Sequence, residues 1–171
     1  MRQDNAGPGP GTRPCCGRWR GRFLSFQDAD DLWLPHKIER QLARFDARPD
    51  LAYCVALVEN FWEDEVADER ERLADHARSK PMAGYVTQSL LVRREWMETT
   101  GGFDASLGHG DAADWFQRAD AAGASGELVQ EVLTRRRLHR DNRSRTMATQ
   151  SRDEFFAMLK KKIDRERGRT S

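Results

Sequence analysis

No stretch of this 171-residue sequence stays apolar for the length of a membrane span, and its first residues lack the hydrophobic centre of a signal peptide. The chain is therefore expected in the cytoplasm, with at most peripheral contact with a membrane. Cysteine is scarce. Cys15, Cys16 and Cys54 make an odd count without metal-ligand spacing, which argues against a disulfide framework or a zinc site and leaves free thiols. Net charge is also missing: 29 Lys and Arg face 28 Asp and Glu, so nothing global draws the chain to nucleic acid or to an anionic surface. No Walker loop, paired Cys/His spacing or serine-nucleophile motif occurs. What is present is charge of both signs, at 33% of residues, and a modest 38% of hydrophobic residues, still enough for one domain with a core.

The most informative stretch is Phe23-Leu24-Ser25-Phe26-Gln27-Asp28-Ala29-Asp30-Asp31-Leu32-Trp33-Leu34-Pro35. A short apolar run of this kind predicts a buried strand, and the acids then stand at its carboxyl end, where open α/β sheets bind ligands. Asp-x-Asp can share one hard divalent cation, Mn²⁺ or Mg²⁺, which keeps sites open for phosphate oxygens. The same acids could equally cap the helix that begins at Pro35.

From Pro35 to Arg48 the apolar residues Ile38, Leu42 and Phe45 recur at helical spacing, and Pro49 stops the pattern. Leu51–Val58 is an apolar run read as a strand. The charged stretch from Glu59 to Lys80 predicts a loop with a short helix. Tyr85 to Arg94 returns to apolar character and predicts another strand. A helix follows the glycine-rich Gly108–Gly110 segment, with Trp115, Ala119 and Ala122 on one face and Gly123 as its stop. Asp111 and Asp114 at its start suit helix capping, and equally a carboxylate that accepts a proton in catalysis. Leu128–Leu133 predicts a strand. The arginine-rich run that follows, through His139 to Asn142, would suit a diphosphate, although such runs also form solvated patches or nucleic-acid footprints. Phe155, Phe156, Leu159 and Ile163 give an amphipathic pattern over Ser151 to Arg167.

These motifs carry a resemblance. Phe23 to Gln41, with Trp33-x-Pro35-x-Lys37 and Gln41 after the acids, resembles the metal-binding segment of family 2 glycosyltransferases, inverting nucleotide-sugar-dependent enzymes of the GT-A fold. The similarity continues through Gly101-Gly102-Phe103-Asp104, Asp111 to Ala119, and Arg136-Arg137-Leu138-His139. The fold class it implies is α/β: a partial GT-A (Rossmann-like nucleotide-diphospho-sugar transferase) fold lacking its first strand–helix units. The chain then divides into an irregular segment 1–21, a glycosyltransferase-like domain 22–145 and a C-terminal amphipathic helix within 146–171. Arg2 to Pro10 resembles the family's segment just upstream of the metal motif, whereas Gly11 to Arg20 replaces the helix expected next. The strand at Phe23–Phe26 would ordinarily pair with strands from the absent half, so an open edge is expected there.

Carried over residue by residue, the resemblance implies that Asp30, Asp28 and His139 hold Mn²⁺ or Mg²⁺. It further implies that Asp28, Arg136, Arg137, Gly102 and Asn142 contact the nucleotide-diphosphate sugar donor. Phe103 would anchor the glycine turn in the core. The base is expected to be Asp114, with Asp111 as the alternative, because Ala112 stands where many members carry Asp. The acceptor, whether glycan, lipid carrier or small molecule, is not specified by any motif, and nucleic acid is not an expected partner. A second reading is a catalytically inactive remnant or binding module of the same fold, completed by a partner across the open strand edge.

Overall fold

The structure, a computed structural model, describes residues 20–104, 106–107 and 110–142. Within them one mixed sheet has the order β1-β5-β3-β6-β2. Its strands are β1 (Phe23–Ser25), β2 (Leu32–Trp33), β3 (Tyr53–Trp62), β4 (Met82–Ala83), β5 (Leu91–Arg93) and β6 (Gly126–Leu138), with β4 flanking β3. β3 is buried almost continuously from Tyr53 to Ala56, as its apolar run demands of a central strand. It pairs in parallel with β6 along its whole length, with register shifts on either side of Leu57. β1 pairs antiparallel with β5, which pairs antiparallel with β3, so β1, β3 and β6 all run the same way. Among the described residues β1 pairs on one side alone, in line with the open edge expected for it.

Helices α1 (Lys37–Ala47), α2 (Ala67–Arg72), α3 (Arg94–Thr99) and α4 (Asp111–Ala121) connect these strands. Strand side chains alternate between two cores. Leu24, Tyr53, Val55 and Val92 pack with Met97 of α3 and with Trp115, Phe116 and Ala119 of α4. Phe23, Cys54 and Leu91 point the other way and pack with Phe45, Ile38 and Leu42 of α1. This period-two division gives the layered helix–sheet–helix architecture of an α/β fold.

Several elements differ from the sequence expectation. β3 continues through Glu59–Trp62, residues expected in a loop, because Glu59 pairs with Arg135 and the ring of Phe61 lies under the guanidiniums of Arg135 and Arg137, at 5.0 and 4.9 Å. For the same reason β6 absorbs the arginine run. β5 is confined to Leu91–Arg93, since Thr87–Ser89 folds into a 3-10 turn. The buried face of α4 holds Trp115 and Ala119 but not Ala122, which is exposed beyond the helix end. The amphipathic pattern of 151–167 and the segment before residue 20 lie outside the described residues.

Candidate active site

Phe26 to Asp31 leaves β1 at one end of the sheet order and enters β2 at the other. The acids on this crossing segment therefore stand at the edge where β1, β3 and β6 all end. β3 delivers Glu63 there, and β6 delivers Arg137 and His139. This is the ligand-binding edge of an open α/β sheet.

Carboxylate oxygens of Asp28, Asp30 and Asp31 lie within 4.8 Å of one another. Desolvation by the surrounding chain raises the pKa of the surface-accessible Asp28 above its ordinary value and the charge of Asp30 adds to it, while Arg136 offsets them in part. Burial likewise raises Asp31; the Arg137 amide opposes this, and Asp28 and Asp30 reinforce it. Three acids held this close concentrate negative charge, two of them with raised proton affinity, and the oxygens among them that reach solvent fit a hard divalent cation. His139 Nε2 sits 3.1 Å from Asp30 Oδ2 and donates to it in the tautomer protonated at that nitrogen. Asn142 positions this histidine: its Oδ1 accepts from the His139 amide at 2.6 Å, and its Nδ2 donates to the Arg137 carbonyl at 3.1 Å.

Arg137 is used three ways. Its amide donates to Asp31 Oδ1 at 2.9 Å, its Nε donates to the Asp30 carbonyl at 2.8 Å, and its Nη1 pairs with Glu63. Beside it an open cleft of about 530 Å³ is lined by Glu63, Asp64, Glu65, Arg137 and His139. Arg140 holds the lining residue Glu65, its amide donating to Glu65 Oε1 at 2.9 Å.

The predicted base region lies on α4. Asp120, at its far end, accepts from Tyr53 Oη at 3.0 Å beside the start of β3, so the opposite end of the helix, with Asp111 and Asp114, is turned toward the carboxyl edge. Asp114 is buried and bonds Arg118 Nε at 2.7 Å. The same guanidinium donates to the Thr100 carbonyl and, at 2.7 Å, to the Gly102 carbonyl. Gly101 and Gly102 have φ of +80° and +72°, a conformation that strains any other L-residue. Phe103 is buried after them, as expected, and stacks edge-on with Phe26 at 5.1 Å centroid separation. Asp111 Oδ1 accepts from the adjacent Ala112 amide at 2.9 Å; the N-cap position of α4 is Gly110, so neither acid makes the side-chain cap expected of them.

Sequence reasoning missed Gln88 and Glu63, which carry no motif, and gave no role to Arg118, which lies inside the Asp111–Ala119 stretch. Lys37 and Gln41 did carry one, as the residues recurring after Trp33 and Pro35, and both are buried. Lys37 Nζ donates to Ser25 Oγ at 3.1 Å and Gln41 Oε1 at 2.8 Å, and lies 4.3 Å over the Trp33 ring. Gln41 Nε2 passes the connection on to the Ser89 carbonyl at 2.8 Å.

The sequence profile described as Glycosyl transferase family 2 matches residues 1–103, more than half of the chain. No curated protein matches the sequence. Among solved structures, S. aureus TarS is similar at a TM-score of 0.56 and 13% identity, over 81% of this chain and 25% of that one. S. aureus TarS 1–349 in complex with UDP gives 0.56 and 14%, over 81% and 42%. Glucosyl-3-phosphoglycerate synthase from Mycobacterium tuberculosis, in complex with Mn²⁺, UDP and phosphoglyceric acid, gives 0.53 and 18%, over 91% and 54%. Identities this low show the fold alone. The chain spans between a quarter and just over half of the length of these structures.

Proposed function

Because the chain belongs to glycosyl transferase family 2, we propose that it moves a sugar from a nucleoside-diphosphate donor to an acceptor hydroxyl with inversion. The observation that carries this is the meeting of Asp28 and Asp30 with His139 at one sheet edge, from segments more than a hundred residues apart in sequence. Solved relatives of the same fold are crystallised with UDP and with Mn²⁺ or Mg²⁺, which supports the choice of ligands to test.

Asp28, Asp30 and His139 would hold the divalent ion, which when bound neutralises charge on the departing diphosphate. Arg136, whose charge already acts on Asp28 and Asp31, faces the phosphates. Arg137 joins it by exchanging Glu63 for a phosphate oxygen. Asn142 acts through the His139 amide, and the Gly102 turn supplies backbone under the donor sugar. Asp114, or Asp111 in its place, accepts the acceptor proton as the hydroxyl oxygen bonds to the anomeric carbon and the sugar–phosphate bond breaks, its electron pair leaving with the diphosphate.

A second reading, donor binding without turnover, is favoured by Ala112 at the position where many family members carry the catalytic acid. One experiment addresses both. UDP with Mn²⁺ should raise the melting temperature of the full chain, by the equivalent of about 2.7 kcal/mol at a hundred times Kd, and Asp30→Ala should abolish that rise. A cooperative melt indifferent to UDP and Mn²⁺ would refute the donor site. A rise without release of UDP from UDP-sugars in the presence of acceptors would favour binding alone.

A further inference from the structure

We propose that Asp31 is a brace rather than an ion ligand, and that Gln88 is the positioning residue that sets it; this rests on the ion-binding reading above. The three acids differ in access. Asp28 is exposed and the Asp30 side chain is 44% exposed, whereas Asp31 is 4% exposed. Both Asp31 oxygens already have neutral donors from distant segments: the Arg137 amide at 2.9 Å on Oδ1, and Gln88 Nε2 at 2.8 Å on Oδ2. An ion arriving from solvent meets Asp28 and Asp30 first.

Gln88 is itself fixed. Its carbonyl accepts from Trp33 Nε1 at 2.9 Å and Thr134 Oγ1 at 3.4 Å, and its Oε1 accepts from Thr87 Oγ1 at 3.2 Å. The turn that carries it is tied on by Gln41 to the Ser89 carbonyl and by Ser25 Oγ to the Leu90 carbonyl at 2.6 Å. Lys37 sits beneath and joins Ser25, Gln41 and Trp33. This buried polar knot orients one amide toward one carboxylate. The Asp31 carboxylate in turn holds the crossing segment, because Arg137 reaches the Asp30 carbonyl from the residue whose amide grips Asp31. Gln27 Nε2 adds a bond to the Asp31 carbonyl at 3.0 Å. Asp30 is thereby presented to solvent by a rigid backbone. A buried carboxylate with two neutral donors supplies attraction and geometry without direct ligation.

The test compares Mn²⁺·UDP affinity by calorimetry, and melting temperature, for the full chain and five variants. Asp31→Asn keeps the Arg137 bond and can donate to a flipped Gln88 amide, so it should bind within about tenfold of the parent, while Asp30→Asn loses binding. Gln88→Ala should weaken binding about tenfold, the usual scale for a group that orients an ion ligand. Gln88→Glu sets two buried carboxylates together and should lower both affinity and melting temperature. The exchange Asp31→Asn with Gln88→Glu should restore both, a recovery that a generic packing role would not produce. Loss of binding in Asp31→Asn at an unchanged melting temperature would make Asp31 a ligand and overturn the brace. If the parent itself binds no Mn²⁺·UDP, the donor-site reading fails. The melting temperatures then decide alone: coupling between positions 31 and 88 upholds the brace, and additivity overturns it.

Discussion

Lys37 offers a perturbation whose size and sign follow from its surroundings. Its ammonium is almost completely buried, with a hydroxyl, an amide oxygen and an aromatic face for partners, and among the described residues no carboxylate pairs with it. Burial lowers its pKa from 10.5 to about 8, with only a small opposing contribution from Cys54. Between those values the unfolded chain binds the proton that the folded chain has released, so stability rises with pH across that window and is flat below it. Cys54 works in the opposite direction. Burial pushes its thiol from 9.0 up to about 12, so above pH 9 the unfolded thiol ionises, the folded one does not, and stability falls. Tyr53, raised first by burial and then by Asp120, adds a further fall above pH 10. Lys37 therefore dominates between about pH 8 and 9, where its release of the proton in the folded chain adds about 1 kcal/mol and the onset of Cys54 ionisation in the unfolded chain takes back about a third, for a net climb of about 0.7 kcal/mol. Urea titration followed by tryptophan fluorescence should show the midpoint rising by about 0.35 M over that unit, for a slope of about 2 kcal/mol/M. From pH 9 to 10 the two groups cancel and the curve levels. Lys37→Met should fall slightly from pH 8 to 9 and steeply after it, while Cys54→Ala should keep rising to about pH 10. Parallel curves for the parent and Lys37→Met between pH 8 and 9 would refute the reasoning.

Two further outcomes concern packing. A Cβ at Gly84 would lie 2.3 Å from the Ala56 carbonyl oxygen and 2.6 Å from Val58 Cγ2, so Gly84→Ala should cost about 3 kcal/mol by urea titration as backbone is pushed from β3. Arg118→Met removes the guanidinium that holds Asp114 and the carbonyls of Thr100 and Gly102. It takes the cation away from a buried carboxylate and from two carbonyls, and calorimetric unfolding should report a loss of about 3 kcal/mol.

The sequence carried α1 and α4 clearly, because their periodic apolar residues face the two cores whatever the rest of the chain does. The Asp28–Asp31 cluster was legible for a similar local reason, lying where an apolar strand gives way to charge. Other features depend on distant partners. The Thr87–Ser89 turn exists because Gln41, Trp33 and Ser25 take up its carbonyls, and nothing in Gln88-Ser89-Leu90 announces them. Arg135 to Arg137 reads as a diphosphate-binding run or a solvated patch, and its place in a strand is visible only when Glu59 and Phe61 of β3, and Glu63 just beyond it, line up beside it. Asp114 has the residue type of a base and Arg118 stands one helical turn beyond it, but only the folded chain brings the Gly101–Gly102 turn onto that pair.

The bonds from Arg137 to Asp30 and Asp31 span 107 and 106 residues of sequence. A chain emerging from the ribosome displays the acid segment early but cannot complete it until β6 has left the exit tunnel and zipped along β3. Closing so long a loop is slow compared with helix formation. Until that late step the nascent acids lack the amide and the guanidinium that organise them. Ligand affinity should therefore be acquired almost at once, when β6 pairs with β3, making the proposed nucleotide binding a reporter of that long-range step rather than of the first local structure.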